Sequence, residues 1–272
     1  MKIKGLFIAG LIFTFCLSAG PAWAGTLVIK GSTTVLPIVQ KVAEKYMREN
    51  PDVRISISGG GSGNGIKALI DKSTDIAMSS RFIKDKEVKL AIEKGSYPVP
   101  FAVAYDCIVP VVHPGNPMTN ITLEQLKAVY KGKIKNWKEF GGPKKKIVVI
   151  SRDTSSGTYE VWEKKVMKKE RVFPGALLQA SNGSVVQAVA KNKNAIGYIG
   201  LGYLDKSVKA LKVNNTKASA ETTLSGRYPI SRVLFMFTPG WPHGEALDFI
   251  NYMINPKKGQ ALVREVGYVP LY

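Results

Sequence analysis

The residues with the most chemical content lie in four short loops, each at the end of an extended segment. They are Gly31-Ser32-Thr33-Thr34, Gly59-Gly60-Gly61-Ser62-Gly63-Asn64-Gly65, Ser79-Ser80-Arg81 and Arg152-Asp153-Thr154-Ser155-Ser156-Gly157-Thr158. A helix start offers unpaired backbone N–H groups and about half a positive charge, glycine lets a ligand approach the backbone, and hydroxyls add donors without bulk. The chemistry these loops share is the holding of an oxyanion, with Arg152 as its bidentate partner. One such loop alone reads as ordinary helix capping, because Ser and Thr are favoured there. Their recurrence at strand ends points to a ligand.

The segments around the loops are short strands and amphipathic helices. Thr26 to Lys30 is a strand candidate, and Val35 to Glu49 places Val35, Val39, Val42, Ala43, Tyr46 and Met47 near helical spacing. Val53 to Ser58 alternates apolar and polar residues before the glycine-rich loop, and Ile66 to Asp71 reads as helix. Asp75 to Met78 is a third strand; Lys146 to Ser151 is a β-branched fourth, feeding a helix over Tyr159 to Lys168. This alternation predicts an α/β fold of mixed, mostly parallel sheets flanked by helices, with ligands at the carboxyl ends of strands. The Pro/Gly-marked stretch His113-Pro114-Gly115-Asn116-Pro117 is the expected crossing between two lobes.

The chain has 272 residues, 45% of them apolar, so it can bury a substantial core and is too apolar to be disordered. Its 39 Lys+Arg against 20 Asp+Glu, a formal net charge of +19, call for an anionic partner. Nucleic acid is not the expected one, because basic runs such as Lys144-Lys145-Lys146 lack interleaved aromatics and read as solvated surface.

Residues 1–24 have the three parts of a secretory signal. Lys2 and Lys4 precede an apolar run from Leu6 to Leu17, and Ala22-Trp23-Ala24 forms a small-x-small site before Gly25. Cleavage after Ala24 and a periplasmic mature protein are expected. Cys16 lies inside the apolar run without the small residues a lipid-attachment site requires, so the protein is not expected to be a lipoprotein. Cys107, in the apolar run Phe101 to Val112, is expected to be a buried small hydrophobe.

Neither a metal site nor a cofactor is expected, since the only histidines, His113 and His243, each adjoin a proline and form no cluster with cysteine. Gly60-x-x-x-x-Gly65 is followed by Ile66-Lys67, which breaks the nucleotide phosphate loop at its contact residues. Gly63-x-Gly65-x-x-Ala68 fits only a relaxed dinucleotide pattern, and export argues against such a cofactor. No serine sits in Gly-x-Ser-x-Gly, so a hydrolase of phosphate esters is disfavoured.

From about Leu27 onward the sequence resembles the periplasmic phosphate-binding proteins of phosphate ABC transporters, a two-lobed (type II) solute-binding family. The four loops carry the resemblance, together with Tyr130-x-Gly132-x-Ile134-x-Asn136-Trp137, Ala195-Ile196-Gly197-Tyr198 and Tyr228-Pro229-Ile230-Ser231-Arg232. It implies inorganic phosphate held in an interlobe cleft by Thr33, Thr34 and Ser62 from one lobe and Arg152, Ser156, Gly157 and Thr158 from the other. The expected lobes are 25–112 with 206–272, and 113–205. It also implies a monomer that delivers its ligand to the permease subunits of an importer, with no catalysis.

Some members of that family have an aspartate where this chain has Ser80, and that carboxylate accepts the proton of hydrogen phosphate. Here Ser80 offers a hydroxyl and is followed by Arg81, which would donate to the anion or pair with Asp153. Asp153 is the nearest replacement acceptor, or else orients Arg152 or Arg81. A phosphate sensor or scavenger, and a receptor for sulfate or arsenate, therefore stay open as alternatives.

Overall fold

The computed structural model describes residues 26–272. The expected signal segment, its cleavage site and Cys16 lie outside the described residues. Along the chain run β1 (Thr26–Gly31), α1 (Leu36–Glu49), β2 (Arg54–Gly59), α2 (Ser62–Ile70), β3 (Ile76–Ser79), α3 (Asp85–Glu93) and β4 (Val99–Val112). Then come β5 (Asn120–Ile121), α4 (Leu123–Tyr130), β6 (Val148–Arg152), α5 (Gly157–Lys165), β7 (Leu177–Gln179), α6 (Asn182–Ala190) and β8 (Ala195–Gly200). The chain closes with β9 (Lys209–Ala210), β10 (Lys212–Val213), α7 (Ala220–Leu224), β11 (Ser231–Thr238), α8 (Gly244–Ile254) and α9 (Gly259–Glu265).

One path of paired strands runs β2-β1-β3-β11-β4-β8-β6-β7, with β9 added to β4. Both ends of the path are parallel, β1 with β2 and β3, and β6 with β7 and β8. The middle is antiparallel, because β11 returns the chain alongside β3 and β4. The sheet is thus mixed, as expected, with the antiparallel pairs gathered where the chain changes lobes.

Two cores flank that middle. One gathers Leu27, Ile29, Val39, Val103, Leu234, Phe249 and Val263, with Ile66, Leu69 and Phe237 in a satellite cluster. The other gathers Tyr130, Trp137, Trp162, Val185, Tyr198 and Ile230. Strand β4 serves both. Its first part pairs with β11 as far as Cys107, and from Ile108 to Val112 it pairs with β8. The crossing therefore falls at Asp106 and Cys107, not at His113 to Pro117 as expected, because Ile108, Val109, Val111 and Val112 are themselves core residues of the second lobe. The return crossing lies at Ile230 and Ser231 rather than near Lys206, since Val208, Leu211, Val213 and Tyr228 also belong to the second core.

Two helix starts differ from expectation. Helix α2 begins at Ser62, inside the stretch read as a loop, because Gly65 is needed for packing rather than for a turn. A Cβ there would come within 2.6 Å of the Gly31 Cα and 2.8 Å of the Lys30 carbonyl oxygen. Helix α5 begins at Gly157 and ends at Lys165, before the left-handed Lys168 and Lys169 (φ 54° and 67°). Cys107 is buried against the Thr223 hydroxyl, and burial pushes its thiol up to about 11, as befits a packing residue.

Candidate functional site

Strand ends and helix starts from both lobes meet at the middle of the sheet. From the first lobe, β1 ends at Gly31 and the chain turns through Ser32, whose N–H donates to the Met78 carbonyl at 2.8 Å. The Ser32 hydroxyl accepts the Thr34 N–H at 3.1 Å, which sets Thr33 and Thr34 just ahead of α1. Tyr203 and Tyr268 donate their hydroxyls to the Thr33 and Thr34 carbonyls, at 2.6 and 2.7 Å. Ser62 opens α2, and its hydroxyl accepts the Ser80 N–H at 3.0 Å and lies 3.2 Å from the Ser80 hydroxyl.

From the second lobe, Arg152 ends β6 and the Ser156 hydroxyl caps α5 by accepting the Tyr159 N–H at 3.2 Å. Gly157 and Thr158 form the first turn of α5. The Trp162 ring on this helix stacks on Tyr198 of β8, with centroids 4.1 Å apart and planes 8° from parallel. Tyr198 in turn accepts the Arg152 N–H at 3.2 Å. The stack thereby fixes the helix start relative to the arginine.

The two sets touch directly. Thr34 and Thr158 bring their hydroxyl oxygens to 3.0 Å, and Arg152 Nη2 donates to the Thr33 hydroxyl at 3.3 Å. Gly63 donates its N–H to the Ser155 carbonyl at 2.9 Å. Thr33, Thr34, Ser62, Ser80, Arg152, Ser156 and Thr158 are all buried at this junction, and the structure is that of a closed cleft.

Arg152 carries the electrostatic signature of the site. It is 1% exposed, and burial pushes its guanidinium below the ordinary arginine value. Nε and Nη2 donate to the Gln179 and Ala180 carbonyls at 3.0 and 2.9 Å, while Nη1 is buried with no hydrogen-bond partner among the described residues. Among the described residues, no carboxylate reaches ion-pair distance of Arg152. A buried arginine in this state is stabilised by an anion brought from outside.

The structure places Arg81 and Asp153 elsewhere. Arg81 forms a bidentate pair with Glu87 (2.7 and 2.8 Å) and reaches across the lobes to Glu160 on α5 at 2.9 Å, where Lys84 also pairs. It does not meet Asp153. Asp153 spends Oδ1 on the Ser155 N–H, at 2.8 Å, and on the Ser155 hydroxyl, so it shapes its own loop and orients neither arginine. A carboxylate after an arginine in a loop can satisfy local N–H groups as readily as an ion pair, and here the local bonds win.

The cross-lobe ion cluster responds to acid. Burial alone would push Glu87 up, but the Arg81 guanidinium and the Lys84 N–H outweigh it and hold the carboxyl below its ordinary value of 4.5. A depressed carboxylate contributes its stability above the unfolded-state value and loses it as pH falls through the folded one. Glu87→Gln is therefore expected to lower Tm at neutral pH. Thermal melts should show that gap narrowing once pH drops below about 4.5.

Three further residues complete the floor. Asn182 opens α6 and donates Nδ2 to the Thr33 and Thr34 hydroxyls, at 3.3 and 3.0 Å. Arg232 and Asp106 face each other in register on β11 and β4, at the crossing between lobes. Asp106 Oδ2 accepts Nε and Nη2 at 2.9 and 2.7 Å, and Oδ1 accepts the Leu201 N–H at 2.8 Å. Burial pushes the Asp106 carboxyl up, opposed by that guanidinium. The sequence did carry a signal for this pair, since Asp106 is the one charge in the apolar run Phe101 to Val112. A charge so placed demands a partner.

A family model described as the PBP superfamily domain matches residues 18–257. The phosphate-binding protein PstS of Bacillus subtilis (strain 168) is 34% identical over 249 residues, 91% of this chain and 81% of that protein. PstS of Borreliella burgdorferi is 35% identical over 253 residues, 89% and 88% of the respective chains. Among solved structures, a putative phosphate ABC transporter substrate-binding protein with bound phosphate from Clostridium perfringens superposes with a TM-score of 0.85 at 34% identity. It covers 91% of this chain and 100% of that one.

Proposed function

Because the chain belongs to the phosphate-binding proteins of ABC transporters within the PBP superfamily, we propose that its cleft encloses one inorganic phosphate and that closure readies it for an importer. The protein is an exported transport binding protein, not an enzyme. Its lobes are residues 26–106 with 231–272, and 107–230. Residues 1–24 serve as a signal cleaved after Ala24, releasing a periplasmic monomer without a lipid anchor.

The observation that carries the phosphate reading is Arg152, buried without a carboxylate and with Nη1 unpartnered where both lobes converge. The anion supplies the counter-charge. Thr33 donates from one side, beside the Ser62–Ser80 hydroxyl pair and with Thr34 bracing Thr158, and Arg152, Thr158 and the N–H groups that open α5 donate from the other, in a site closed to water. Each lobe alone offers only part of the donors, so the ligand stabilises the closed form by its differential contacts with it. Arg81 serves closure through Glu160, and Asp153 shapes the loop; neither holds the anion. The basic surface concentrates anions near the cleft.

One observation favours a broader ligand range. Where some family members have a carboxylate, the cleft presents the Ser62 and Ser80 hydroxyls, and both oxygens of Asp106 are already occupied. Hydrogen phosphate needs an acceptor for its proton, and sulfate does not. Calorimetric titration of anion-stripped protein separates the readings. One-to-one phosphate binding at micromolar Kd or tighter, with a weak sulfate response, is expected, the serine pair acting as acceptor. Equal affinities would make it a general tetrahedral-oxyanion receptor, and no binding of phosphate would overturn the assignment.

A further inference from the structure

The hydroxyl oxygens of the cleft floor already receive nitrogen donors, and counting their lone pairs gives the network a direction. A threonine hydroxyl has one hydrogen to give and two lone pairs to receive. Thr34 Oγ1 receives Asn182 Nδ2 at 3.0 Å and Arg232 Nη2 at 3.3 Å. Both lone pairs are then occupied, so Thr34 is the donor in its 3.0 Å contact with Thr158 Oγ1. Thr158 Oγ1 receives that hydrogen and Arg232 Nη1, the latter at 3.0 Å. Its own hydrogen is left for the anion.

We infer that Arg232 is a positioning residue for anion capture, clamped by Asp106 so that its remaining N–H groups fix one hydroxyl from each lobe as a donor. The inference rests on the reading of the cleft as a phosphate site. Arginine is required because a rigid planar fork can hold Asp106 with one edge and address two separate oxygens with the other, whereas an ammonium is a single point of charge. The clamp sits on the crossing strands themselves. Thr34 shares a lobe with Arg232, whereas Thr158 reaches the guanidinium and Asn182 reaches Thr34 only when the lobes have closed, so the network acquires its donor orientation at the moment the cleft shuts. A hydroxyl free to rotate would present a lone pair to the anion part of the time; one saturated by Arg232 cannot.

A double-mutant cycle with phosphate titration and thermal melts tests this. Arg232→Lys keeps the positive charge beside Asp106, and Thr158→Val removes the oriented hydroxyl at nearly constant volume. Each single variant is expected to bind phosphate at least tenfold more weakly than wild type. The double variant is expected to fall no more than about threefold below the weaker single, because a hydroxyl that is gone cannot be misdirected. Losses that multiply across the cycle would reduce Arg232 to a structural role. Arg232→Lys binding within twofold of wild type would also overturn the inference. If Arg232→Lys does not fold, the cycle is run with Asp106→Asn/Arg232→Gln, a neutral amide pair, under the same criterion. Failure of wild-type protein to bind phosphate would instead count against the function proposed for the cleft.

Discussion

Arg152→Ala is expected to weaken phosphate binding by about 3–5 kcal/mol, the range for removing one partner of a buried charge pair. That is on the order of a hundred- to several-thousand-fold in Kd. The reason lies in what surrounds the arginine. Carbonyls of Gln179 and Ala180 hold Nε and Nη2, and the Thr33 hydroxyl takes a further bond, so the guanidinium is already oriented before the anion arrives. Removing it deletes a charge prepared for the ligand, and the anion then enters a buried site without its main counter-charge. The unliganded protein should not suffer equally, because an unpaired buried cation is itself a cost. Calorimetry and melts with and without phosphate check both halves. The phosphate-dependent rise in Tm should collapse in the variant while the unliganded Tm stays or climbs. Arg152→Lys should recover only part of the affinity, since one ammonium cannot satisfy two carbonyls, a hydroxyl and the anion together. Binding unchanged by Arg152→Ala would sink the proposed site.

Gly157→Ala should be the second large loss, for a steric reason. A Cβ at this position would lie 2.3 Å from the Ser62 hydroxyl oxygen, 2.9 Å from the Ser62 Cβ and 2.8 Å from the Ser80 hydroxyl oxygen. Those atoms belong to the opposite lobe and to short, fully buried side chains that have nowhere to move. The lobes must therefore stop short of contact, at a cost of about 1–3 kcal/mol for overpacking, or roughly ten- to a hundredfold in affinity. The open protein is not penalised. Alanine is the better helix former by about 1 kcal/mol, and Gly157 lies in the first turn of α5. The distinguishing pattern is an unliganded Tm equal to or above wild type together with weakened phosphate binding. A variant binding as tightly as wild type would mean that closure is looser than the 2.3 Å approach implies.

Much of this arrangement was legible in the sequence. The loops announced themselves because hydroxyls, glycines and one arginine recur at strand ends, and Thr33, Thr34, Ser62, Ser80, Arg152, Ser156, Gly157 and Thr158 do come together. What local pattern cannot convey is which of two satisfactory partners a charge takes. Arg81 had Asp153 of another loop as its expected partner, yet Glu87 and Glu160 offer it three short contacts in the folded chain. Asn182 was hidden because an asparagine at a helix start looks like any other cap. Arg232 and Asp106 lie 126 residues apart, so only the strand register could pair them. The crossing was misplaced for a related reason. Proline and glycine mark a turn, but a long apolar strand shared by two lobes contains no such punctuation.

The shared strand has a mechanical consequence. Because β4 passes unbroken from one core to the other, with β11 returning beside it, the proposed closure would turn the lobes about a two-strand fulcrum rather than about a loose tether. Asp106 and Arg232 sit on that fulcrum, and the Thr34 and Thr158 hydroxyls sit directly against Arg232. The ligand therefore pushes on the short arm of a lever. A small adjustment where Thr34 meets Thr158 is multiplied along each lobe into a much larger displacement at the rim, where a transporter can tell a loaded protein from an empty one.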